Sequence, residues 1–222
     1  MGIFRDLSRL VPNEGARSIA KKVGKATDRV ISHWVYEADR NTYFAEAEQS
    51  GKRITPAEFL ALPMTLEELV ASPYNDLRTP VNTAALFVLA LNAFSQNRDE
   101  SIAMINYLRG PNPMSAEDVR LLDETLVQNN TAGYLARSYL MGATQHNGYT
   151  PSQPYTVIVI DNPYTYLDTN VVHEYAYLFV QCGVTDSPRA VTMRKGEDGL
   201  WYLWKHFLFD DIPPSVRYSQ HD

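Results

Sequence analysis

From Ala84 to Leu91 the chain carries no polar side chain, within the longer run Pro80-Val-Asn-Thr-Ala-Ala-Leu-Phe-Val-Leu-Ala-Leu-Asn-Ala-Phe94. A helix that is apolar on every face has to be enclosed on every face. Thr79 is placed to cap such a helix, and Pro80 suits its first turn. Fifteen residues at helical rise reach only about 22 Å, short of a bilayer span. Asn82, Thr83 and Asn92 also interrupt the apolar surface near the ends. The stretch therefore predicts the central helix of a globular domain, and its neighbours must supply the enclosure.

Further helix starts surround it. Thr55-Pro-Ala-Glu58 and Thr65-Leu-Glu-Glu68 each place a cap and a third-position Glu ahead of apolar residues, and Pro63 and Pro73 keep both segments short. Pro73–Pro80 reads as a turn. Asp99 is a cap for a helix reaching Gly110, a good C-terminal stop. Ser115-Ala-Glu-Asp118 opens another helix with Leu122 and Leu126 inward, and a short one is expected over 132–141.

The pattern changes after the Gly/Pro/Ser/Thr/Asn-rich segment 142–154. Tyr155–Ile160 is apolar on both faces and predicts an interior strand. Residues 173–182, 188–195 and 200–208 alternate like strands, the last two joined by the hairpin signal Gly196-Glu-Asp-Gly199. Loops too short for crossovers imply an antiparallel meander. The expected fold is α+β: a helical layer around the central helix (about 80–94), then a four-stranded antiparallel meander. The expected organisation is an arm (1–36), one domain (37–210; helical part 37–142, sheet part 155–208) and a tail (211–222).

Charge is unevenly spread. Of 20 Lys/Arg and 26 Asp/Glu, residues 1–30 hold seven and three, leaving 13 and 23 for the rest. An acidic body speaks against nucleic acid, whose binding relies on phosphate neutralisation. The basic arm carries Ile3, Phe4, Leu7, Leu10 and Val11, so it is the only part suited to a membrane surface; packing on the body or on a second copy is the plainer expectation. A single cysteine, Cys182, forms no internal disulfide and builds no cysteine zinc site. The N-terminus lacks the apolar core of a secretory signal, so a cytoplasmic location is expected.

Pro-Tyr-Asn-Asp-Leu-Arg-Thr-Pro-Val-Asn-Thr-Ala-Ala-Leu, Tyr-Thr-Pro-Ser-Gln-Pro-Tyr-Thr and Arg-Lys-Gly-Glu-Asp-Gly-Leu-Trp-Tyr-Leu-Trp resemble a family of bacterial proteins, common in Firmicutes, known as a domain of unknown function. The resemblance covers roughly residues 55–210 and implies no activity. The hairpin 190–204 is more loosely similar to the closing strands of nuclear-transport-factor-2-like cones, with the difference that no strand is expected before residue 155.

Candidate chemistry is sparse. No Gly-x-Ser-x-Gly elbow, phosphate-binding glycine loop or paired metalloprotease histidines occur. His146, His173, Asp161 and Asp168 have no metal-ligand spacing, and Cys182 has no local basic neighbour to activate it. No catalytic residue, metal or cofactor is assigned. Asp76 and Arg78, before the central helix, are the charged pair with the best case for a ligand, since a helix N-terminus beside an arginine suits an anion. Tyr177, Trp201 and Trp204 represent an aromatic set that suits a ligand or partner, although aromatics at period two also serve as core and cross-strand pairs. The preferred function is a noncatalytic binding or protein-interaction protein, with an unidentified protein partner or self-association. The alternative is a small hydrolase with a pocket between sheet and helices.

Overall fold

The long apolar helix (α2, Pro80–Ala93) is the centre of the structure, and every residue in it except Asn82 is buried. The Thr79 hydroxyl accepts a hydrogen bond from the Asn82 N–H, as the cap position requires. Its few polar neighbours are satisfied locally: Thr83 Oγ1 donates to the Trp201 carbonyl at 2.7 Å, and Ser101 Oγ donates to the Ala90 carbonyl at 2.7 Å. The computed structural model describes residues 51–128, 130–162, 166, 174–184, 188–209 and 212–214. The basic arm, residues 37–50, His173, Asp168 and most of the tail lie outside the described residues.

Around α2 stand three further α-helices among the described residues: α1 (Leu66–Val70), α3 (Arg98–Arg109) and α4 (Ala116–Asp123). α4 runs on into a π-helical turn, Glu124–Gln128. The Ser115/Asp118 capping box of α4 and the Thr65 cap of α1 form as read from sequence. Asp99 does not cap α3. It sits in the first turn, where its charge favours the helix dipole, and Asn97 occupies the cap position without a side-chain bond. Of the segment 132–141, only a 3₁₀ turn at Ala136–Tyr139 is helical. No helix among the described residues is long and apolar enough to cross a membrane.

The sheet has five strands, not four, in the order β1 (Arg53–Phe59), β2 (Tyr155–Asp161), β3 (Tyr175–Val180), β4 (Arg189–Lys195) and β5 (Trp201–His206), all neighbours antiparallel. β2 to β5 form the expected meander, and β2 is interior. β1 overturns the expectation of a helix at Thr55-Pro-Ala-Glu58. Those residues meet the rules for a helix start, but Ala57 and Phe59 are buried while Pro56 and Glu58 are exposed, which is the period of a strand. An edge strand tolerates Pro56 because one side of its ladder needs no N–H. Its partner lies about a hundred residues away, with Phe59 opposite Tyr155 and Arg53 opposite Asp161. The end of that pairing is held by Arg53, whose Nη2 donates to Asp161 Oδ2 at 2.7 Å and to the Tyr166 hydroxyl at 2.9 Å. The Asp161 side chain has no exposure and also accepts from the Tyr166 hydroxyl.

Candidate functional site

Where α3 ends against the β4–β5 hairpin, two glycines make room for one ring. Gly110, at φ +58, and Gly196 both approach Tyr202 so closely that an added Cβ would lie 2.3 Å and 2.8 Å from its ring atoms. The Tyr202 hydroxyl donates to Asp198 Oδ2 at 2.5 Å, and Asp198 Oδ1 accepts from the Leu200 N–H at 3.0 Å. These bonds hold the Asp198 carboxyl below its usual range, while burial and then the bond to Asp198 push Tyr202 up to about 12. The ring is thus a fixed wall.

That wall belongs to a cleft of about 480 Å³, lined also by Arg109, Arg194, Lys195, Trp204 and the acidic Glu197. The Arg194 guanidinium lies 5.0 Å from the Trp204 ring centre and 5.8 Å from that of Tyr175. Lys195 Nζ lies 5.6 Å from the Trp201 ring centre. Cations over aromatic faces gain attraction without losing their capacity to hold an anion. Among the described residues neither Arg194 nor Lys195 has a carboxylate partner. Arg109 Nε donates to the Asn112 carbonyl at 2.9 Å, while its Nη2 stands 3.7 Å from Asp118 Oδ2, beyond hydrogen-bond range. Asp118 is instead committed to its cap, accepting from the Ser115 N–H at 2.9 Å and hydroxyl at 3.0 Å.

Arg109 and Leu203 also line a second, smaller cavity of about 230 Å³ between β5 and the helices. Two irregularities border it. The β4–β5 register skips at Trp204, so Leu203 pairs with Met193 but Lys205 pairs with Thr192 and His206 with Val191. This bulge turns His206 toward the side of the sheet that holds α2. Its ring lies 4.7 Å from Phe87 and 4.6 Å from Phe209, centre to centre. The second irregularity is the π-helical turn after α4, from which Thr125 reaches the cavity. His206 Nδ1 is buried without a hydrogen-bond partner among the described residues, and burial, followed by the Arg109 charge, pushes the ring down to about 4 from its ordinary 6.5.

The residues singled out from sequence are distributed differently. Trp204 lines the cleft, and Trp201 is buried beneath Lys195 with its backbone tied to the turn before α2, its N–H donating to the Leu77 carbonyl at 2.8 Å. Tyr177 is exposed on the outer face of β3, on the same side as Tyr175 and Phe179. Asp76 Oδ1 accepts from the Arg78 backbone N–H at 3.1 Å and from Asn82 Nδ2 at 3.0 Å, so it holds the turn. Arg78 is exposed. Cys182 is buried, 3.6 Å from Ser138 Oγ. Among the described residues no three His, Cys, Asp or Glu side chains gather as metal ligands. Of the earlier metal candidates, Asp161 is engaged by Arg53 and His146 is exposed. Sequence reading missed Arg109, Arg194, Lys195 and Tyr202. Only the alternation of β4 and β5, read together with the hairpin turn between them, carries a signal for the last three.

No curated protein and no solved structure matches the chain. A family model described as a domain of unknown function, DUF6935, matches residues 61–215, which takes in all four α-helices, four of the five strands and both cavities. The chain belongs to that family of unknown function.

Proposed function

We propose that the protein is a noncatalytic binding protein that takes an anionic ligand in the cleft between the end of α3 and the β4–β5 hairpin. The observation that carries this reading is the pair Arg194 and Lys195, held over the rings of Trp204 and Trp201 and without a carboxylate partner among the described residues. In a chain of net charge -6 the cleft sets three cations, Arg109, Arg194 and Lys195, against two carboxylates, Glu197 and Asp198, and Asp198 is already engaged by Tyr202, so the local balance is positive. Tyr175 extends the same surface to the exposed Tyr177 and Phe179, giving a partner protein an aromatic strip beside the anion site. The basic arm, set against an acidic remainder, supports self-association as a second contact. A single buried cysteine suits a reducing cytoplasm.

Titration of the full chain with inorganic phosphate, followed by tryptophan fluorescence, tests the reading. Binding is expected to weaken as salt is raised, and to fall at least about tenfold in the Arg194→Ala/Lys195→Ala double variant. Phosphate that leaves the signal unchanged, or binds the double variant equally, overturns it. The hydrolase alternative has one observation in its favour, the placement of His206 and Asp118 around the smaller cavity. Steady turnover of ester substrates, abolished by His206→Phe, would decide for it.

A further inference from the structure

We infer that the smaller cavity is the ring-binding end of the same site, so that the ligand is a small molecule with a carboxylate on a short arm attached to a flat apolar ring. The inference rests on the anion-binding reading above and adds the class of ligand. Three observations converge on it. Arg109 lines both cavities, so one residue borders the cleft and the smaller cavity. Its Nε donates to the Asn112 carbonyl and its Nη2 pairs with Asp118 Oδ2 only at 3.7 Å, a carboxylate already used by the α4 cap, which leaves the Nη donors without a short hydrogen bond and open to a ligand. Beside it Phe87, His206 and Phe209 form a nest of rings, with Ile105 and Leu122 on an apolar wall, while Asp118 and Thr125 make the remaining part of the lining polar.

The size agrees with the chemistry. A cavity of about 150 Å³ lined by aliphatic and aromatic side chains holds benzene. The cavity here, about 230 Å³, has room for such a ring with a short chain leading to Arg109. The two irregularities that border it are of the kind found beside binding sites: a β-bulge that re-aims His206 and a π turn that carries Thr125. His206 Nδ1, buried and without a partner among the described residues, is a cost the fold carries at this place.

The probes are 3-phenylpropionate and propionate, titrated into the full chain by calorimetry and by NMR of the His206 ring protons. Phenylpropionate is expected to bind at least about tenfold tighter than propionate, the difference made by burying its ring. The His206 signals should shift with the former only. Arg109→Gln should weaken phenylpropionate at least about tenfold. Leu121→Trp, placed at the exposed rim, should block phenylpropionate while phosphate still binds the cleft. Thr125→Phe fills the cavity from the π turn and repeats the test should the first variant lose its thermal transition. Equal affinity for the two acids, unmoved His206 signals, or phenylpropionate binding that survives both plugs would overturn the inference. Phosphate binding that is normal and sensitive to Arg194→Ala/Lys195→Ala in the same samples would leave the cleft standing; its loss would remove both.

Discussion

Gly110 and His206 show how single positions set the site. At Gly110 two demands coincide: a positive φ, and a Tyr202 ring where a Cβ would be. Gly110→Ala should cost about 1–3 kcal/mol, seen as a lower urea midpoint, and should displace Tyr202 from its bond to Asp198. His206 sets a pH dependence. Its folded-state value of about 4 lies below the ordinary 6.5, so between those values the unfolded chain binds the extra proton. Stability is therefore intact above pH 6.5, falls as the pH drops from 6.5 to 4, and is not reduced further by this group below 4. The loss amounts to about 3 kcal/mol. His206→Phe keeps the ring packing and removes the titration. The difference between the two proteins' stabilities, followed from pH 7 to pH 4, should change by that amount, and a constant difference would show that the imidazole is not desolvated as the geometry requires.

Among the elements, α2 was the most legible, because its signal does not depend on a partner: an all-apolar surface requires burial whatever encloses it. Leu89 has no exposure, and Leu89→Ala should cost about 2–5 kcal/mol in equilibrium unfolding. The meander was legible for a related reason, since short loops, strand alternation and the Gly196–Gly199 turn are local. β1 was not. Its Thr-Pro-Ala-Glu phrase satisfies the rules for a helix start, and the strand that recruits it is about a hundred residues away. The site lay further out of reach. Arg109, Arg194, Lys195 and Tyr202 come from three elements, and the bulge that turns His206 inward depends on how β5 pairs with β4, which no spacing in the chain records. The charged pair favoured from sequence, Asp76 and Arg78, sits at a helix start, but the Asp76 carboxylate is occupied by backbone and Asn82 donors.

For the whole molecule, the question is where the folding unit begins. The family match starts at residue 61, whereas the sheet starts at Arg53. A chain beginning at residue 61 would lose all of β1, expose the edge of β2, and leave the Asp161 carboxylate buried without Arg53. Breaking a buried ion pair by removing one partner costs about 3–5 kcal/mol; exposure of Arg53 to solvent lowers this figure, and the lost ladder and the burial of Ala57 and Phe59 raise it. This truncation should unfold at markedly lower temperature, or not fold. A chain beginning at Trp34 keeps β1 intact and should hold a thermal midpoint close to that of the full protein. If the basic arm serves association, the Trp34 truncation will change the light-scattering mass and leave the midpoint alone, and the lost association will be one that salt weakens. A Trp34 chain that unfolds would make the arm part of the core, and a residue 61 chain as stable as the full protein would reduce β1 to an accessory strand.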